Sequence, residues 1–101
     1  MKTQTLSTLK PQNNFKPLLI HLLEDSEADA KLMELALEEV ELSYELKIVK
    51  DPEIFVEALD QGAYTLENNS FLSIFMVDLE VPKFSGLELI EKIRNRFAKS
   101  E

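Results

Sequence analysis

Three carboxylates stand directly after two of the most apolar stretches of the chain. Glu24 and Asp25 follow Leu18-Leu19-Ile20-His21-Leu22-Leu23, and Asp78 follows Phe71-Leu72-Ser73-Ile74-Phe75-Met76-Val77. Each acid alone has an ordinary reading: Asp25 can open a helix, Glu24 can be surface, and Asp78 can cap a turn. An acid directly after each of two apolar runs is, however, a poor arrangement for folding alone. If the two runs are neighbouring strands, the three carboxylates meet at one edge, where their crowding is costly unless a proton or a cation neutralises it. Magnesium suits such a site, because it accepts a few oxygen ligands and keeps water or phosphate oxygens in its other positions.

Other chemistries are excluded by composition. The 101 residues contain no cysteine and one histidine, His21. Disulfide frameworks, thiolate zinc sites, Cys nucleophiles and poly-His sites are therefore ruled out. His21 lies inside the first apolar run and reads as a core residue. Nineteen acidic residues against eleven basic ones give a net charge of -8, which disfavours nucleic acid as a direct partner. No apolar run approaches the ~18 residues of a membrane span, and the first fifteen residues lack the apolar stretch of a secretory signal. A cytoplasmic protein with no membrane partner is expected.

The elements that must position these acids are legible from periodicity. Residues 1–17, rich in Thr, Asn, Gln and Lys, are expected as a flexible N-terminal arm. Residues 18–23 read as a strand buried on both faces. Ser26 can cap a helix reaching about Glu41, with Ala28, Leu32, Leu35, Ala36 and Val40 as its apolar stripe. Residues 44–49 alternate as an edge strand. Asp51-Pro52 opens a short helix whose stripe is Ile54, Phe55, Ala58 and Leu59, stopping before Gly62. Residues 63–70 are a polar connection, and 71–77 read as a fully buried parallel strand. A last helix carries Leu87, Ile90, Ile93 and Phe97 and ends near Lys99, with Lys92, Arg94 and Arg96 suited to its C-terminal half. Strand and helix alternating three times implies an α/β fold with a parallel sheet. In such sheets ligands bind at the carboxyl ends of the strands, where the acids stand.

Two blocks carry a family resemblance. Leu19-Ile20-His21-Leu22-Leu23-Glu24-Asp25-Ser26 and Met76-Val77-Asp78-Leu79-Glu80-Val81-Pro82-Lys83-Phe84-Ser85-Gly86 resemble the two acidic motifs of bacterial two-component response-regulator receiver domains. The segment from Tyr44 to Asp51 is similar to the single-domain receivers that serve phytochrome-type kinases. The resemblance implies a three-layer, doubly wound, flavodoxin-like parallel sheet, with residues 18–101 as a partial receiver domain of about three βα units. It implies a sensor histidine kinase as partner, Asp78 as phosphoacceptor, and Mg2+ held by Glu24, Asp25, Asp78 and the backbone carbonyl of Glu80. An Asp carboxylate attacking a phosphohistidine is chemically sound, because a cation can offset oxygen charge in a loose transition state.

The resemblance runs from about Pro17 to Phe97. Receivers continue through two further strand-helix units carrying a Ser or Thr and a Lys that respond to phosphorylation; Lys83 occupies a different place in the motif and does not inherit that role. In the receiver strand order, the third strand becomes an edge here, so a homodimer or partner protein is expected to cover it. Two other readings stand beside the receiver: a phosphorylation-independent dimerisation or docking module on the same fold, and a phosphatase of the haloacid-dehalogenase type, suggested by Asp78-Leu79-Glu80-Val81. The latter would leave Glu24 and Asp25 unexplained.

Overall fold

The computed structural model describes residues 16–98. Apart from Lys16 and Pro17, the expected N-terminal arm lies outside the described residues. Three strands, β1 (Leu18–Leu23), β2 (Tyr44–Val49) and β3 (Leu72–Val77), alternate with three helices, α1 (Glu27–Glu38), α2 (Pro52–Asp60) and α3 (Gly86–Ala98). The strands form one parallel sheet in the order β2-β1-β3, as the α/β alternation requires. Leu23 pairs with Val49 on one side and Val77 on the other, so all three strands end level.

One face of the sheet carries Leu23, Val49, Phe75 and Val77, packed against Phe55 and Leu59 of α2 and Leu89 and Ile93 of α3. Ile20 and Leu22 are buried on the opposite face, which falls to α1 and its buried Ala30 and Leu37. The result is a helix, a sheet and a helix pair in three layers.

Local chemistry fixes the helix boundaries. Ser26 Oγ accepts the Asp29 amide at 3.2 Å, and Asp51 Oδ1 accepts the Glu53 amide at 2.8 Å with Pro52 in the first turn. Ser85 Oγ does the same for Glu88 at 3.0 Å. Helix α2 ends at Asp60 and is closed by Gly62, which adopts φ 74; the amides of Gly62 and Ala63 bond back to Leu59 and Ala58 in a Schellman arrangement. Helix α1 stops at Glu38, three residues short of the expected Glu41. Its end carries Glu38 and Glu39 with no basic residue in the last turn, an unfavourable charge for a helix C-terminus.

The helix faces differ from the sequence expectation. In α1 the buried residues are Ala30 and Leu37, while Leu32 is 64% exposed and Ala28, Leu35, Ala36 and Val40 are also exposed. In α2 Phe55 and Leu59 are buried as expected, but Ile54 is 59% exposed. In α3 Leu89 is the fully buried residue and Leu87 is 73% exposed. Among the described residues the sheet covers one apolar arc of each helix, and Leu32, Ile54 and Leu87 lie outside it.

Strand β3 is likewise not buried on both flanks. It lies at the sheet edge and most of its residues are half-buried. The connection before it folds back on itself: Asn68 Oδ1 accepts the amides of Ser70 and Phe71, and the Ser73 amide donates to the Leu66 carbonyl at 2.7 Å. This covers only the beginning of the β3 edge.

Candidate acidic site at the strand ends

The two outer strands hold the acids through β1. The Glu24 amide donates to the Val49 carbonyl at 3.0 Å, and the Asp78 amide donates to the Leu23 carbonyl at 3.1 Å. Each bond extends a ladder by one residue beyond the strand end. Glu24 and Asp78 are therefore placed by backbone geometry.

Glu24, Asp25 and Asp78 each offer a carboxylate oxygen, and these oxygens lie within 4.8 Å of one another. Glu24 and Asp78 are half-buried and Asp25 is exposed. Burial pushes the Glu24 carboxyl above the ordinary carboxylate range, and its hydrogen bond and repulsion with Asp78 push it further; Asp29 adds a smaller repulsion. The Ser26 amide, donating to Glu24 Oε2 at 3.3 Å, acts in the opposite direction. The site thus carries more negative charge than its own donors offset. Three hard oxygen donors at this spacing can be drawn onto one divalent cation of the magnesium or calcium type.

Glu80 sits in the turn after Asp78, its side chain exposed and outside the acidic cluster. Its amide donates to Asp78 Oδ1 at 3.0 Å, closing an Asx turn. That leaves Oδ2 as the acceptor-side oxygen not engaged by this turn. Gly86 closes the same loop: its amide donates to the Leu79 carbonyl at 3.3 Å, and a Cβ there would lie 2.5 Å from the Leu79 Cα. Only glycine permits that approach.

Neither nearby lysine serves Asp78. Lys83, in the left-handed region at φ 73, pairs with Glu53 Oε2 at 3.2 Å, and Lys50 pairs with Glu27 Oε2 at 2.6 Å. The amides of Ser26 and Glu80 that reach Glu24 and Asp78 carry no sequence signal of their own, since any residue supplies an amide; the signal is their offset of two from an acid.

His21 is buried in the core, as the sequence implies. Its Nε2 lies 3.3 Å from Ser73 Oγ, which itself donates to the Thr65 carbonyl at 2.6 Å; the ring stacks on Phe75 and meets Tyr64 edge-on. Since the Ser73 proton is committed to Thr65, His21 Nε2 is the donor of the pair. Burial, and then the charge of Lys47, hold this imidazole below the usual histidine range.

Among the described residues, no helix is long and apolar enough to cross a membrane. No family model and no solved structure matches the chain. The chain is similar to the response regulator Rcp1 of Synechocystis sp. (strain ATCC 27184 / PCC 6803 / Kazusa), with 34% identity over 79 residues, covering 77% of this chain and 52% of the relative. The chain thus spans about half the length of the protein it matches. The three-unit parallel α/β fold agrees with that likeness to a response regulator over the 79 matched residues.

Proposed function

We propose that the chain is a phosphoacceptor module of two-component signalling in which Asp78 takes a phosphoryl group from a histidine kinase. The observation that carries this reading is the convergence of Glu24, Asp25 and Asp78 at the level ends of adjacent parallel strands. Glu24, Asp25 and Asp78, with the Glu80 carbonyl, would hold Mg2+. When bound, the cation offsets the charge of the phosphoryl oxygens and of the acids themselves.

The residues of the chain do the rest. The Glu80 amide fixes one oxygen of Asp78 and orients the carboxylate, leaving Oδ2 as the nucleophile. Oδ2 attacks phosphorus, an O–P bond forms, the N–P bond of the phosphohistidine breaks, and the imidazole leaves with the electron pair. The product is an acyl phosphate on Asp78. The reading makes the protein a cytoplasmic signalling module with a kinase partner, and not a turnover enzyme. Intact mass after incubation with acetyl phosphate and Mg2+ tests it: one phosphoryl group is gained, and Asp78→Asn abolishes the gain.

A further inference from the structure

The core around His21 is not closed. A cavity of about 240 Å³ opens on the face of the sheet that carries α2, walled by β1, β2, the start of β3 and the connection before it. Its lining residues lie between Leu19 and Ser73, and none belongs to α3.

Two polar side chains on neighbouring strands face this cavity. Parallel register sets Lys47 of β2 directly beside His21 of β1, and both line the hollow. Among the described residues Lys47 meets no carboxylate, whereas Lys16, Lys31, Lys50 and Lys83 each pair with a glutamate. An exposed ammonium left over in a chain of net charge -8 is available to a small anion. The second group is the His21 ring. Its Nε2 donates to Ser73, so Nδ1 carries a lone pair. The residue is 6% exposed, yet no buried polar side-chain atom among the described residues lacks a partner. Nδ1, to which no described residue donates, therefore reaches the cavity. Tyr64 stands edge-on to the imidazole and Phe75 stacks on it, so the ring is held in place.

The rest of the lining is apolar. Leu19, Val49 and Phe71 are half-buried, and their remaining surface faces the hollow. The volume equals about eight water molecules' share of the liquid, room for a ligand of about ten non-hydrogen atoms. A nucleotide is too large for it.

We propose that this cavity binds a small hydroxy-substituted aromatic carboxylate. The carboxylate meets the Lys47 ammonium, the hydroxyl donates to His21 Nδ1, and the ring lies against Leu19, Val49 and Phe71. A few convergent polar groups in a mainly apolar hollow are the usual make-up of a small-ligand site. Asp78 takes no part, so the test is made without phosphodonor or Mg2+ and its outcome is separate from phosphorylation.

His21 is the single histidine, so its imidazole NMR signals report on the cavity without interference. Titration of the full chain at pH 7 with 3-hydroxybenzoate and with 4-hydroxybenzoate is expected to shift these signals saturably for at least one isomer, with a Kd of about 1 mM or tighter for a ligand of this size. The matching hydroxybenzyl alcohols, which keep ring and hydroxyl and lose the carboxylate, are expected to bind about tenfold more weakly, and benzoate, which lacks the hydroxyl, about threefold more weakly. Lys47→Met keeps an apolar stem and is expected to weaken the hydroxybenzoate about tenfold, whereas Lys47→Arg stays within about threefold of the wild type. Circular dichroism establishes that each variant is folded, and the alcohols decide the question independently of any variant. No saturable shift from either acid up to about 10 mM, equal affinity for acids and alcohols, or wild-type affinity in Lys47→Met would each overturn the proposal.

Discussion

The Asp78 amide donates to the Leu23 carbonyl 3.1 Å away, and this single bond sets the side chain of Asp78 beside that of Glu24. It is the last rung of the β1–β3 ladder, one residue past the strand end. The acidic cluster is thus a direct consequence of register, and register is fixed by which residues of β1 and β3 face the core.

That crowding predicts opposite effects of one substitution. The folded chain favours the neutral form of Glu24, so its charge costs stability above the raised pKa and the cost is relieved as pH falls through it. Without metal at pH 7, Glu24→Gln is expected to raise Tm by about 2–4 °C, a screened surface-type effect. With saturating Mg2+ the order reverses, because the variant lacks a ligand. Differential scanning calorimetry with EDTA and with Mg2+ checks both signs; an unchanged order contradicts the site.

Removal of either carboxylate partner should weaken the cation. Asp25→Asn and Asp78→Asn are each expected to lower Mg2+ affinity about tenfold or more by isothermal titration calorimetry, comparable to losses seen around metal ligands. Glu80→Ala, which keeps the backbone carbonyl, is expected to leave affinity within about twofold. A large loss on Glu80→Ala would mean its side chain, not its carbonyl, is engaged.

His21 makes stability depend on pH with a definite sign. Its folded pKa is lowered, so the unfolded chain takes up a proton that the folded chain refuses. This contribution is intact above the ordinary value of about 6.5 and is lost as pH falls from there toward the lowered folded pKa. Lys47 from β2 and Tyr64, Ser73 and Phe75 from the β3 side surround the ring. Urea titrations of the wild type and His21→Gln between pH 7.5 and 5 are expected to diverge, with the wild type losing stability faster on acidification. Parallel curves would contradict the neutral, buried imidazole.

Adjacent residues of α2 separate core from surface. Phe55→Ala is expected to cost about 3–5 kcal/mol and to unfold much of the population, whereas Ile54→Ala stays within about 0.5 kcal/mol. Chemical denaturation measures both. Equal costs would mean that α2 is rotated about its axis relative to the sheet.

How far the sequence was legible follows from the same residues. Strand identity, the caps Ser26 and Asp51, and the alignment of Glu24, Asp25 and Asp78 were readable because they depend on local pattern and on the parallel topology. The buried faces were readable only in part: Phe55 and Leu59 are buried as expected, but Leu32, Ile54 and Leu87 fit a helical stripe as well as Leu37 and Leu89 do, and only the sheet decides between arcs. Residues 71–77 read as central because hydrophobicity reports burial by any neighbour, present or not. The turn at Asn68 and the fold-back onto Ser73 depend on side-chain bonds to backbone that periodicity does not reveal. The pairing of Lys83 with Glu53 likewise required the left-handed turn at Lys83.

The central claim is that Asp78 is a phosphoacceptor, and intact-mass spectrometry after incubation with acetyl phosphate and Mg2+ tests it most directly. The account predicts one added phosphoryl group on the wild type, none on Asp78→Asn, and none on the wild type when EDTA replaces Mg2+. A folded wild type that gains nothing, or a gain that persists in Asp78→Asn, would contradict it.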